Sequence, residues 1–147
     1  MILDLTMPID EKTPTYPGDP KQEIKQFAVV EKDGWNEKRI TFNSHFSTHI
    51  DAPLHMLAGG KTLTDFPIDK FIGEAIVLDV RDKKEIDLTK VKEGDIVFFL
   101  TSHSKKAYDG DYFKNNPIIT EKTAKELINK KTKIVGLDSF TPDNEPF

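Results

Sequence analysis

Residues 75–80 (AIVLDV) and residues 96–101 (IVFFLT) form two short, almost uninterrupted apolar runs. Continuous apolar runs of this length are typical of β-strands that are buried on both faces. Ile134–Leu137 (IVGL) has the same character and predicts a further buried strand. These three runs therefore predict the centre of the fold.

The sequence on the N-terminal side of these runs predicts three more strands. Residues 23–30 and 37–43 are strand-like, and between them stands Asp33-Gly34, the dipeptide favoured in tight hairpin turns. Residues 2–6 predict a short strand that stops before the first proline. We therefore expect a hairpin and a short N-terminal strand before the apolar runs.

On the C-terminal side, residues 120–131 predict the one clear helix. Ala124, Leu127 and Ile128 share one face at helical spacing, and Thr120 can cap the N-terminus of the helix. Because strands outnumber helices, the sequence predicts an α/β fold with a mixed, mostly-β core and few helices.

Length and composition restrict the class of protein. A chain of 147 residues is most simply one domain, and 21 Lys and Arg against 25 Asp and Glu give a net charge of −4. This weak acidity argues against nucleic-acid binding, which depends on clustered Lys and Arg. The sequence has neither a run of roughly 20 apolar residues nor a basic N-terminal leader, and it has no cysteine. We therefore expect a cytoplasmic protein without a membrane or nucleic-acid partner, disulfides or thiolate metal sites.

Three of the four histidines lie within the segment SHFSTHIDAPLH, residues 44–55. Together with one aspartate they have the spacing H-x3-H-x-D-x3-H, formed by His45, His49, Asp51 and His55. Imidazole and carboxylate groups suit zinc, manganese and iron, so the cluster predicts a metal site. The alternative is that these histidines are ordinary surface or core residues, but such clustering is hard to obtain by chance in a chain this poor in histidine.

The backbone conformation of this segment decides whether the side chains converge. Pro53 forbids a continuous helix and favours an extended backbone at the residue before it. If residues 45–51 are extended, alternate side chains share one face: His45, Ser47, His49 and Asp51. Two imidazoles and one carboxylate then leave coordination positions free for water or substrate, as in catalytic metal sites. His55 could serve a second metal ion that Asp51 bridges.

The fourth histidine, His103, follows the apolar run at residues 96–101. The end of a strand is a place where a general base can lie, but a histidine of a surface loop is the stronger interpretation. Ser102 and Ser104 flank it without the G-x-S-x-G context of a serine nucleophile.

The histidine segment resembles the metal-binding signature H-x-G-T-H-x-D-x-P-x-H of the cyclase family, metal-dependent hydrolases that include kynurenine formamidases and isatin hydrolases. It departs from that signature at Ser47, where the family usually has glycine, a residue that tolerates backbone conformations serine does not. The matching positions of the signature are His45, Thr48, His49, Asp51, Pro53 and His55. Further blocks that resemble the family are spread along the rest of the chain, at residues 4–6, 16–20, 94–101 and 135–139.

The resemblance implies a cyclase-family fold and a metal-dependent amidohydrolase. His45, His49 and Asp51 would hold the main ion, and Asp51 with His55 a second, so that the cofactor is one or two Zn²⁺ or Mn²⁺ ions. A metal-activated water would attack a small amide substrate, an aryl formamide or a cyclic amide, as in the conversion of N-formylkynurenine to kynurenine. Tyr16 and Pro17 are candidates for the substrate pocket, although a packed proline-rich loop explains them equally well. Family members are commonly dimers or tetramers, so a homodimer or homotetramer is expected.

Two residues of the family pattern have no counterpart in this sequence. Members carry a further histidine and then a glutamate after the strand that resembles residues 134–137, and Glu145 stands too early to be that glutamate. We therefore expect residues 1–147 to be a single cyclase-like domain that is incomplete at its C-terminus. The alternative function is a catalytically impaired or truncated member that serves as a metal-binding or structural oligomer subunit.

Overall fold

The computed structural model describes residues 2–83 and 85–143. The chain divides into two compact units, an N-terminal unit that extends to Gly60 and a C-terminal unit that begins at Lys61. The interpretation of residues 1–147 as a single domain stays a prediction. Within the described ranges, no helix is long and apolar enough to cross a membrane.

The N-terminal unit contains an antiparallel hairpin of β1 (Glu23–Ala28) and β2 (Glu37–Thr41). The two strands are joined by α1 (Val30–Asp33), a single helical turn that ends at Gly34 with a φ of 83°. The predicted hairpin is confirmed, but the prediction of a tight two-residue turn at Asp33-Gly34 is wrong. The reason is local, because the Asp33 carboxylate accepts the Val29 N–H at 2.9 Å and stabilises the helical turn instead.

Residues 2–6 do not form the predicted strand. The Asp4 carboxylate accepts hydrogen bonds from both the backbone N–H and the hydroxyl of Thr6, at 2.9 and 2.6 Å. Such short-range bonds compete with the ladder that a strand needs. The segment that follows is held instead by side chains of the histidine segment.

The C-terminal unit is built on a three-stranded parallel sheet of β3 (Ala75–Asp79), β4 (Ile96–Leu100) and β5 (Ile134–Leu137), with β4 in the middle. The three predicted apolar strands are therefore confirmed. Val97 and Phe99 of β4 form the centre of its core.

Burial on both faces is wrong for both β3 and β4, because Val77 of β3 is 61% exposed and its pair partner in β4, Phe98, is 37% exposed. The buried core groups lie on the face that carries Val97, and they come from the segment Leu88–Val91 and from the helix. An apolar run in the sequence does not show how much of each strand face is covered, and in this sheet the face is partly exposed where Val77 and Phe98 pair.

The predicted helix is α2 (Glu121–Asn129), and Thr120 caps it by accepting the Thr123 N–H at 3.2 Å. Leu127 is only 3% exposed and packs in the core, whereas Ile128 is 73% exposed. The placement of Ile128 on the buried face is therefore wrong. The helix turns Thr123 and Leu127, four residues apart, toward the sheet.

Short 3₁₀ turns complete the described structure at Pro53–His55, Leu63–Asp65, Ile68–Phe71 and His103–Lys106. The fold is thus mixed α/β with small sheets and few helices, as the sequence predicts.

Candidate metal centre

The histidine segment follows β2 in the N-terminal unit and is a loop, not an extended strand. Phe46 is buried and stacks on Phe42, with ring centroids 5.2 Å apart, which anchors the loop next to the hairpin. Ser47 has a φ of 56°, in the left-handed region, so the chain turns there. The expectation that residues 45–51 are extended is wrong for this reason. At Ala52 the backbone is extended, and Pro53 begins the 3₁₀ turn.

The loop nevertheless brings three of the predicted ligand atoms together. His45 Nδ1 lies 2.6 Å and His49 Nε2 lies 3.1 Å from the same oxygen, Oδ1 of Asp51. The two ring nitrogens are 3.3 Å apart. A metal ion needs several donor atoms close together. Among the described residues, the His, Cys, Asp and Glu side chains that meet this condition are those of His45, His49 and Asp51.

The orientation of the His49 ring is set by the backbone. His49 Nδ1 lies 2.8 Å from the carbonyl oxygen of Ser47. Because a carbonyl only accepts, Nδ1 must carry the proton, and in the neutral ring Nε2 is left as an unprotonated ligand. A backbone carbonyl that binds the second nitrogen of a histidine is a recurrent support of metal ligands.

His55 contributes to the site by contact with a ligand ring. It ends the 3₁₀ turn Pro53–His55, and its ring stacks on His45 with centroids 3.7 Å apart. Gly60 lies directly behind this turn, where a Cβ atom would be 2.7 Å from the Pro53 carbonyl carbon. The structure therefore places His55 beside the cluster but outside the three converging donors.

The cluster changes the proton affinities of its members. Hydrogen bonds from His49 and then His45 lower the pKa of Asp51 to about 2, against the opposing effect of burial. The hydrogen bond to Asp51 raises the pKa of His49, although burial opposes it. Without an ion, the Asp51 carboxylate thus stabilises the protonated form of His49.

The donor set fits a divalent ion. Ligand atoms about 2.1 Å from a tetrahedral Zn²⁺ lie about 3.4 Å from one another. His49 Nε2 lies 3.1 and 3.3 Å from the other two donors, close to that spacing, whereas His45 Nδ1 and Asp51 Oδ1, which are 2.6 Å apart, would separate on binding an ion. Imidazole and carboxylate ligands suit Zn²⁺ and Mn²⁺ alike. The side chains of His45, His49 and Asp51 are 35%, 30% and 51% exposed, which leaves room for further ligands from solvent.

The other sequence candidates lie in different surroundings. Tyr16 is half-buried and Pro17 exposed in a turn closed by the Asp19 N–H to the Tyr16 carbonyl at 3.1 Å, so their role in substrate binding stays a prediction. His103 is buried, stacks on Tyr112 and lies with Nε2 at 2.7 Å from its carbonyl oxygen, so the surface-loop interpretation is wrong. Glu145 lies outside the described residues.

Ser47 is the residue of this site whose importance the sequence reasoning missed. The sequence marks it only as a departure from glycine, yet it supplies the left-handed turn and the carbonyl that orients His49. The signal was present in the sequence, because a serine at a position that favours glycine has to compensate for its backbone conformation.

A cluster of two histidines and an aspartate on a mixed α/β fold is the type of site found in hydrolases that use a metal ion. Comparison with known proteins makes the class specific: the chain belongs to the Putative cyclase family, whose model matches residues 3–144.

Relatives and solved structures agree with this assignment. The chain is similar to a kynurenine formamidase of Bacillus cytotoxicus, with 25% identity over 143 residues that cover 92% of this chain and 67% of the relative. It is similar to a structure described as a potential metal-dependent hydrolase with cyclase activity, with 31% identity, a TM-score of 0.77, and coverage of 97% of this chain and 70% of the other. It shares its fold with an isatin hydrolase bound to the product analogue thioisatinate, at 21% identity and a TM-score of 0.80, over 96% of this chain and 68% of the other.

These similarities confirm the family, the fold class and the assignment of the chain as a hydrolase of the cyclase family. The alternative of a non-catalytic subunit is not favoured, because the relatives and neighbours are named as enzymes.

Proposed function

We propose that the chain hydrolyses a small amide, an aryl formamide or a related cyclic amide, with a divalent ion held by His45, His49 and Asp51. The convergence of these three donors within 4.8 Å of one another, in a member of the cyclase family, carries the proposal. An ion bound there supplies Lewis acidity and lowers the pKa of a bound water toward neutrality.

The protein residues prepare the site for that chemistry. The Ser47 carbonyl holds the proton of His49 on Nδ1 and leaves Nε2 for the ion. Asp51 supplies a negative charge that stays ionised well below neutral pH, because its pKa is lowered to about 2. His55 packs against the His45 ring and is the proposed ligand, together with Asp51, of a second ion.

The substrate class rests on similarity and on the accessibility of the site. One relative is named a kynurenine formamidase and one structural neighbour an isatin hydrolase, so the proposed substrates are N-formylkynurenine and, as the cyclic amide, isatin. The partial exposure of all three ligands is compatible with an organic substrate that reaches the ion. Tyr16 and Pro17 are proposed to contribute to its pocket. A homodimer or homotetramer is the proposed assembly, which light scattering on the purified chain tests.

The decisive experiment is hydrolysis of N-formylkynurenine and of isatin by protein supplied with Zn²⁺ or Mn²⁺, followed by absorbance. Asp51→Asn keeps the shape of the side chain but removes its charge, and it is expected to lower the rate at least a hundredfold. Asp111→Asn, at an exposed aspartate that forms an ion pair with Lys114, is the matched control and is expected to leave the rate unchanged. Hydrolysis that survives both a chelator and Asp51→Asn would contradict the proposal.

A further inference from the structure

The side chains of Ser47 and Thr48 bind both backbone groups of Met7. The Ser47 hydroxyl donates to the Met7 carbonyl at 2.9 Å, and the Met7 N–H donates to the Thr48 hydroxyl oxygen at 2.8 Å. The two contacts join positions 40 and 41 residues apart in the sequence. These two hydrogen bonds, and not pairing with a strand, connect the N-terminal segment to the histidine segment.

The backbone next to Met7 is itself held firmly. The carbonyl of Pro8 accepts the Thr13 hydroxyl at 2.8 Å, and the same hydroxyl accepts the Asp10 N–H at 2.9 Å. Thr13 is buried, and its carbonyl accepts a hydrogen bond from the Gln22 side chain at 2.8 Å. Met7 therefore precedes a segment whose backbone is held by several hydrogen bonds.

The link from this support to the candidate metal ligand passes through one residue. Ser47 binds Met7 through its hydroxyl and orients His49 through its carbonyl, with a left-handed backbone between the two groups. Serine seldom adopts this conformation unless other contacts hold it there. A change in the Met7 contacts would rotate the Ser47 peptide and with it the acceptor that fixes the His49 ring.

We infer that the hydroxyls of Ser47 and Thr48 are positioning groups that hold the metal-binding loop against the backbone of Met7, so that His49 is oriented before an ion binds. This inference rests on the proposed metal site and adds to it the N-terminal segment as part of the machinery. Neither hydroxyl is itself proposed as a ligand.

The test is binding of Co²⁺ to the full chain, measured by titration and by the visible absorption spectrum of the bound ion. Thr48→Val keeps the shape of the side chain but removes the acceptor of the Met7 N–H, and it is expected to weaken Co²⁺ binding about tenfold and to alter the spectrum. Thr48→Ser restores the acceptor and is expected to restore both. Ser47→Ala removes the hydroxyl and keeps a Cβ atom at the left-handed position, and it is expected to weaken binding as well. Urea unfolding of each metal-free variant checks that the fold is kept.

The outcomes separate this inference from the site on which it rests. If wild-type protein binds Co²⁺, His49→Ala loses it, and Thr48→Val and Ser47→Ala bind like wild type with an unchanged spectrum, the positioning role is overturned and the metal site stands. If His49→Ala binds Co²⁺ as wild type does, the metal site fails and the positioning role fails with it. Weaker binding by Thr48→Val with recovery by Thr48→Ser supports both.

Discussion

Replacement of Leu127 by alanine is expected to destabilise the protein far more than the same replacement at its neighbour, Ile128. Leu127 is 3% exposed and packs in the core of the C-terminal unit, whereas Ile128 is 73% exposed on the same helix. A buried Leu→Ala change costs about 3 kcal/mol of unfolding free energy, since it removes apolar burial and leaves a cavity. Ile128→Ala removes little burial and gains a few tenths of a kcal/mol in helix propensity, roughly 0.4.

Urea unfolding followed by circular dichroism measures both effects. With a slope of about 2 kcal/mol per M, the Leu127→Ala midpoint falls by about 1.5 M, while that of Ile128→Ala stays within about 0.3 M of wild type. The two substitutions lie next to each other in the same helix and introduce the same residue, alanine, so they differ mainly in the burial of the side chain that is removed. Equal losses of unfolding free energy, or a larger loss for Ile128→Ala, would contradict this reasoning. They would mean that Leu127 is not the side chain of α2 that packs in the core.

Three further outcomes follow from the geometry. Gly60→Ala places a methyl group against the Pro53 backbone and is expected to destabilise by about 1–3 kcal/mol in thermal unfolding, whereas Gly110→Ala, with open space around it, is expected to be neutral. Thr120→Ala removes the helix cap and is expected to cost about 1 kcal/mol in the same assay, with recovery in Thr120→Ser. The affinity for Zn²⁺ is expected to fall as the pH drops through the pKa of His49, because a proton then competes with the ion for the ring. That pKa is raised above its usual 6.5. An affinity for Zn²⁺ that is the same at pH 8 and pH 5 would contradict this.

The sequence predicted the three strands of the parallel sheet because their signal is local and strong. The run at β4 is apolar at every position and lies at the centre of the sheet. The apolar runs at β3 and β4 do not reveal that Val77 and Phe98 are exposed, because the covering of a strand face depends on residues far away in the sequence. Ile128 shows the same limit on a helix: a spacing of one, three or four residues defines a stripe, but only the tertiary packing decides where its edge falls.

The candidate site was predictable in its members but not in its conformation. The spacing of His45, His49 and Asp51 identified the converging donors, although the extended backbone assumed for them does not occur. Burial of Phe46 and the left-handed turn at Ser47 achieve the same convergence by another path. Contacts such as those of Met7 with this loop join distant segments through single hydroxyls, and neither composition nor periodicity carries a signal for them.

The order of the strands also determines when the sheet is completed during synthesis. Ile96 in β4 pairs with Ala75, 21 positions earlier, but its other partner, Ile134, comes 38 positions later. At a translation rate of about 5–20 residues per second, the most apolar strand of the chain waits roughly 2–8 s on the ribosome with one edge unpaired. During that interval the unpaired edge of β4 is open to pairing with another chain.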